Sequence, residues 1–199
     1  MAEQYSIQAE TLMKAAVEEY KEILLEIDAS DANESVLKGI RISIQGKPRR
    51  LVDVGDLKKT EDKNKIQILV FNTDHIELIT EKIDEVDFNY DIEGQFINVN
   101  VPDPSYKQLM EVVDNINRKK NSSMSRLTKA KSEATTRART AVENEFITQG
   151  VATAASRKCD TFYEEHGGEI EELTTEKIKQ VLGTEFYEKY KTEEIDPFQ

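Results

Sequence analysis

"FINVNVPDPSYKQLMEVV", residues 96–113, holds the change of rhythm that decides the fold. In its first six positions Ile97, Val99 and Val101 alternate with Asn98 and Asn100, the period of a strand with one buried face. Beyond Pro102, Asp103 and Pro104 the apolar residues recur at Leu109, Val113 and Ile116, the spacing of a helix. Ser105 and Gln108, three apart at the junction, have the capping-box spacing that opens a helix. A β module ends here and a helical body resumes.

The same two rhythms extend outward in both directions. "IRISIQ" (40–45) sets Ile40, Ile42 and Ile44 against Arg41, Ser43 and Gln45, and Gly46 with Pro48 marks a turn after it. "KIQILVF" (65–71) repeats the alternation, and Ile76, Ile79, Ile83 and Val86 then predict a short helix. Asp74 and Glu77 stand as its N-cap and capping-box partner. Residues 5–28 read as one amphipathic helix with Ile7, Leu12, Ala15, Ala16, Ile23 and Ile27 on its apolar side, closed by "DASDAN" (28–33). On the other side the helix from Ser105 runs on through Leu127, Ala134, Ala138 and Ala141 to Phe146. A third helical region, 151–191, carries Ile170, Leu173, Ile178, Val181, Leu182 and Phe186; Gly150 precedes it and "HGG" at 166–168 is where it would break.

One long helix, a β module and two long helices make an α+β chain. Three long helices with modest apolar faces bury them against one another, which predicts a three-helix bundle from residues 1–30 and 104–199. Residues 31–103 form an inserted small β/α/β domain. Ser30 and Asp31 at one crossing, and Pro102, Asp103 and Pro104 at the other, are the expected hinge, since two crossings with few contacts permit domain motion.

Composition narrows the function. Apolar residues are 38% and charged residues 33%, with no Trp, which suits long helices with charged solvent faces rather than an all-β chain. No apolar run approaches the ~20 residues needed to span a bilayer, so no membrane partner is expected. A lone cysteine, Cys159, cannot form an internal disulfide and fits a reducing compartment. "MAEQYSIQAE" lacks the apolar core of a secretory signal and the Arg-rich character of a transit peptide. There is no glycine-rich phosphate loop, nucleophile–base pair or zinc signature. Cys159, Glu165 and His166 are too few for a metal site, and His75 belongs to a surface helix turn. Neither an enzyme nor a cofactor is expected.

Against a formal charge of −12, residues 118–140 gather eight Lys or Arg and one acid, Glu133. With ~100° per residue, Lys119, Arg126, Lys129 and Arg137 fall within roughly 100° of Arg118, and Leu127, Ala130, Ala134 and Ala138 centre on the opposite side. Lys120 and Lys131 lie at the apolar edge, where long side chains snorkel. The result is a stripe roughly 28 Å long at 1.5 Å per residue, suited to successive phosphates of folded RNA. The acidic remainder would repel RNA elsewhere and restrict docking to this face. Lys47, Arg49 and Arg50 in "GKPRR" form a smaller basic patch on the β module.

In order, "IDASDANESVLKGIRI", "LVDV", "KIQILVF", "DIEGQFINVNVPDP", the basic helix and "ELTTEKIKQVL" make the chain resemble the ribosome recycling factor family. The resemblance covers residues 5–145 and, more loosely, 170–187. It implies an L-shaped two-domain arrangement and contact with large-subunit rRNA through Arg118, Lys119, Arg126, Lys129 and Arg137. It also implies action after termination with an elongation factor G-type GTPase, which supplies the GTP. There are departures from the family pattern. The Gly-Arg-Ala-Ser hinge segment reads Ser30, Asp31, Ala32, Asn33, with an acid in place of Arg. Leu109 and Met110 replace an Arg pair. Of the family's Arg-x-x-Arg-Arg, Lys129 or Arg126 matches the first Arg and Ser132 a later one.

These losses point to a divergent, organellar member, in the mitochondrial matrix or another organelle, with a cytoplasmic one as the alternative. The chain is expected to act as a monomer in ribosome recycling. A ribosome-binding paralogue without splitting activity and a helical scaffold protein are the other readings.

Overall fold

The computed structural model describes residues 2–195. The chain forms two compact units, one built from the chain up to Ile27 and from Val113 onward, the other from Asp28–Val112. The first boundary lies beside the expected one at 30/31. The second falls inside a helix rather than at the prolines.

The first unit is helical. Its helices are α1 (Ala2–Leu25), the part of Tyr106–Glu143 beyond Val112, and Gln149–Ile195. Helix α1 buries Ala9, Met13, Ala16, Val17, Tyr20 and Leu24, an i, i+4, i+7 face. This corrects part of the expected stripe: Ile7 and Leu12 are 55% and 47% exposed, Ala9 and Met13 take the interior, and Ala16 is buried as expected. Ala130, Ala134, Ala138 and Ala141 of the second helix and Ala152 and Ala155 of the third are buried too, small side chains that let helix axes approach. Phe146, expected to end the apolar row, lies beyond that helix and is 76% exposed.

The third helix runs unbroken through 166–168, contrary to expectation. Gly167 is buried in the helix, where a Cβ would meet the mobile end of the Met124 side chain at 3.4 Å, an ordinary contact, so nothing at this position breaks the helix. The break comes at Gly183, whose φ of 72° is the left-handed conformation glycine adopts without steric cost. Cys159 of this helix is 1% exposed, and burial pushes its thiol up from the ordinary value.

Polar groups inside this unit are matched to one another. Thr174 donates to the Ile170 carbonyl at 2.7 Å, so its one proton is committed and the buried Tyr20 hydroxyl must donate to the Thr174 oxygen. Burial raises the Tyr20 phenol above its usual range. A phenol raised in the folded state is stabilising below its unfolded value and loses that contribution as pH rises through the folded one. Tyr20→Phe is therefore expected to lower stability by about 1 kcal/mol at neutral pH. It should also flatten the loss of stability above pH ~10, as read by urea unfolding across pH.

The second unit begins with α2 (Asp31–Lys38), a short helix whose first residues, 31–33, read as turn in the sequence. Then come β1 (Arg41–Ile44), β2 (Lys47–Arg50), α3 (Leu51–Val54), β3 (Gly55–Lys59), β4 (Lys65–Val70), α4 (Ile76–Glu85), β5 (Asn89–Glu93) and β6 (Phe96–Asn100). Strands β1 and β2 make a two-stranded ribbon joined by Gln45 and Gly46, both at positive φ, as a tight hairpin requires. The other four form an antiparallel sheet in the order β3-β4-β6-β5. On β4, Ile66, Ile68 and Val70 face a core shared with Ile97 and Val99 of β6 and Ile79 and Ile83 of α4. On the other face Gln67 Nε2 donates to Asn98 Oδ1 at 3.0 Å across paired strands. A 3-10 turn, Thr73–His75, leads into α4, and its cap is Asn72, which accepts from the Asp74 amide; Asp74 is not the cap expected from spacing.

Helix α5, Tyr106–Glu143, opens as the spacing predicts. The Ser105 amide donates to Gln108 Oε1 at 2.9 Å, and the Gln108 amide to Ser105 Oγ at 3.3 Å. The third long helix is α6, Gln149–Ile195.

Candidate nucleic-acid interface

All five expected contact residues on α5, namely Arg118, Lys119, Arg126, Lys129 and Arg137, are exposed. The structure sorts the helix's cations into three files. Toward α1, Arg126 pairs with Glu19, and Arg137 Nη1 donates to Gln8 Oε1 at 2.5 Å. Toward α6, Lys120 lies 3.3 Å from Glu171 and Lys131 2.7 Å from Asp160. The Asp160 bond holds the Lys131 ammonium above its ordinary pKa. Lys131 also sits 5.0 Å over the Tyr163 ring, so the two edge lysines are held by acids of α6 rather than merely snorkelling.

The crest between these files carries Arg118, Lys129 and Arg139, with Lys119 exposed toward its α1 side. Lys129 reaches only Glu133, at 4.0 Å, while Arg118, Lys119 and Arg139 have no ion pair among the described residues. Exposed pairs of this kind contribute ~0–1 kcal/mol each, so Glu19 restrains Arg126 without removing it from use. Sequence reasoning missed Arg139. The same 100° step places it roughly 60° to the far side of Arg118, on the solvent face, where it could have been found.

The smaller patch is divided. Lys47 and Arg49 are exposed on β2, but Arg50 is spent locally: its guanidinium holds Asp53 at 3.1 Å and its amide donates to the same carboxylate at 3.2 Å. Arg50 lowers the Asp53 carboxyl below its usual range. Arg41, opposite Arg50 in the register, adds a cation that the sequence reading left out of the patch.

Four of the five expected hinge residues are bonded into the β unit. Asp28 Oδ1 accepts from the Ser30 amide at 2.8 Å and from its hydroxyl, and Lys59 of β3 pairs with Asp31. Asp28 and Glu34 lie 3.5 and 3.8 Å from the same ammonium. Asn33 Nδ2 donates to the Pro102 carbonyl at 2.9 Å, and Asn64 Nδ2 to the Val101 carbonyl and to Asp103 Oδ1 at 3.0 and 3.1 Å. Pro104 is half-buried.

One cation thus serves three acids. Burial works against the Lys59 charge, yet the carboxylates outweigh it and raise its pKa. Burial also raises Asp31, with its like-charged neighbour Asp28 adding to the shift and Lys59 only partly offsetting it. Lys59→Met is expected to cost about 1 kcal/mol at pH 7, the deficit shrinking below pH ~4 as the acids protonate. Asp31→Asn should stay within ~0.5 kcal/mol of the parent, because an acid raised by burial loses its stabilising effect as pH rises through its folded value. Urea titrations of both variants at pH 4 and 7 check this.

A family model described as "Ribosome recycling factor" matches residues 20–182, most of the chain. The chain belongs to the ribosome recycling factor family. The family is one of translation factors rather than enzymes. Among solved structures, the chain is similar to the solution structure of a ribosome recycling factor. The identity is 23%, 92% of this chain and 98% of the other are covered, and the TM-score is 0.51. It is also similar to a chain from models of the T. thermophilus ribosome recycling factor and E. coli elongation factor G bound to the E. coli post-termination complex. There the identity is 14%, coverage is 92% of this chain and 100% of the other, and the TM-score is 0.49. No curated protein matches. The first of these likenesses bears out the α+β class, long helices with a small antiparallel sheet unit, and the family match bears out the recognition made from ordered motifs.

Proposed function

We propose that this recycling-factor family member binds the large ribosomal subunit after termination and, with an elongation factor G-type GTPase, separates the subunits. Family membership supports the role, and the single observation that carries the RNA contact is the exposed face of α5, where Arg118 and Lys119 have no ion pair among the described residues and Lys129 has only a 4.0 Å reach to Glu133. Phosphate contact by four or five such cations gives binding a log–log salt slope of about −3 to −4.5. Arg grips phosphate with two parallel bonds where Lys offers a point charge, so Lys129 keeps attraction with less geometric definition. No cofactor of its own is required, since GTP belongs to the partner. The chain acts as a monomer within an organelle.

A second reading, a ribosome binder without splitting activity, is favoured by Asp31 and Met110 where the family pattern has Arg. Asp31 is moreover occupied by Lys59. A subunit-splitting assay with the cognate elongation factor separates the two. Splitting above the rate of the GTPase alone supports recycling; binding without splitting overturns it in favour of the second reading.

A further inference from the structure

The crest of α5 presents hydroxyls as well as cations. Ser132 and Thr136, one turn apart, are both exposed, and neither hydroxyl has a partner among the described residues. Their neighbours behave differently: Thr128 donates to the Met124 carbonyl at 3.1 Å and Thr135 to the Lys131 carbonyl at 2.9 Å. A helical Thr commonly satisfies its hydroxyl by such back-bonding, so donors turned outward are available to a ligand. Arg139 continues the line by one more turn, exposed and without an ion pair among the described residues. Together with Lys131, Thr135 and Tyr163 these residues line an open cleft of about 340 Å³ on the α6 side of the crest.

The electrostatics favour one anion at one place. Asp160 is the acid closest to the cleft's cations, and it is taken up by Lys131 at 2.7 Å. Glu164 acts on the same lysine, so both of these α6 acids are drawn to Lys131, while Arg139 forms no ion pair among the described residues. A guanidinium with hydroxyl donors one and two turns before it matches the oxygens of a phosphodiester, since RNA backbones are held by Arg, Ser and Thr alike.

We propose that Arg139, with the Ser132 and Thr136 hydroxyls, holds a phosphodiester of the bound RNA, roughly 15 Å beyond Lys129 along the helix at 1.5 Å per residue. This rests on the reading of the α5 crest as an RNA face and widens that face toward α6, on the side away from Arg126 and Arg137. The test uses the full chain and cognate large subunits, co-sedimented across a salt series.

Arg139→Glu is expected to weaken binding about tenfold or more and to lower the magnitude of the log–log slope by ~0.7–0.9, one phosphate contact. Ser132→Ala with Thr136→Ala should weaken binding a few-fold and leave the slope unchanged, because neutral donors release no counterions. Arg139→Lys should restore the slope but not the full affinity. If Arg139→Glu leaves both affinity and slope unchanged while Lys129→Glu weakens binding, the cleft is not a contact and the crest reading stands without it. If neither charge reversal moves binding, the RNA face itself is misplaced and the proposal falls with it.

Discussion

Reversing Arg118 and Lys129 together, as Arg118→Glu with Lys129→Glu, is expected to reduce ribosome co-sedimentation by about a hundredfold or more near physiological salt and to lower the magnitude of the salt slope by ~1.4–1.8. These two are chosen because neither is held within 4 Å of a carboxylate except for Lys129's marginal reach to Glu133. Arg126 is a poorer probe: placing an acid there would face Glu19 and disturb α1 as well as the RNA contact. Glu19 gives the complementary experiment. Glu19→Gln should release Arg126 and tighten binding up to about fivefold, the amount an exposed ion pair of ~1 kcal/mol can withhold. The gain should vanish when Arg126 is changed to Gln, since Glu19 acts only through that guanidinium. Binding that ignores the double reversal would mean that α5 is not the RNA face.

Ile68→Ala should be the most damaging change to the β unit, lowering its stability by about 2–5 kcal/mol. Ile68 is 0% exposed on β4, a central strand bonded to β3 on one side and β6 on the other. Its side chain belongs to the cluster with Ile79 and Ile83 of α4 and Ile97 of β6, all 0% exposed, so no water-accessible route exists to fill the void. Ile68→Val removes one methyl and should cost only ~0.5–1.5 kcal/mol. A two-unit chain need not unfold in one step, so the measurement is hydrogen exchange of the β3, β4 and β6 amides rather than a single melting curve. Protection in α4 should fall with them, because the helix has no other large apolar surface to cover.

What could be read in the chain was whatever one element's own pattern determines. Strands β1, β4 and β6 were visible because each sets aliphatic residues on one face against polar ones on the other. Strands β2, β3 and β5, spelled KPRR, GDLKK and NYDIE, show no such alternation; they are largely exposed and owe their place to pairing in register with a neighbour. Helix α1 was found but its face only partly: Ala16 is buried as expected, whereas Ile7 and Leu12 look outward and Ala9, Met13 and Tyr20 look in. Glycine alone does not locate a break: 167 continues the helix, and 183, at positive φ, interrupts it. At the interface, helix geometry alone brought five cations onto one side. Their pairing was beyond its reach, because Glu19 and Gln8 stand 107 and 129 residues before their arginines.

Cys159 gives this chain a built-in clock. It is the sequence's one thiol, 1% exposed in α6, and burial keeps it in the protonated, unreactive form. An alkylating reagent can therefore reach it only when the helical unit opens, and the labelling rate counts those openings. The same buried sulfur keeps the folded chain from cross-linking to a second copy, so covalent dimers would mark molecules that had already lost this part of their structure.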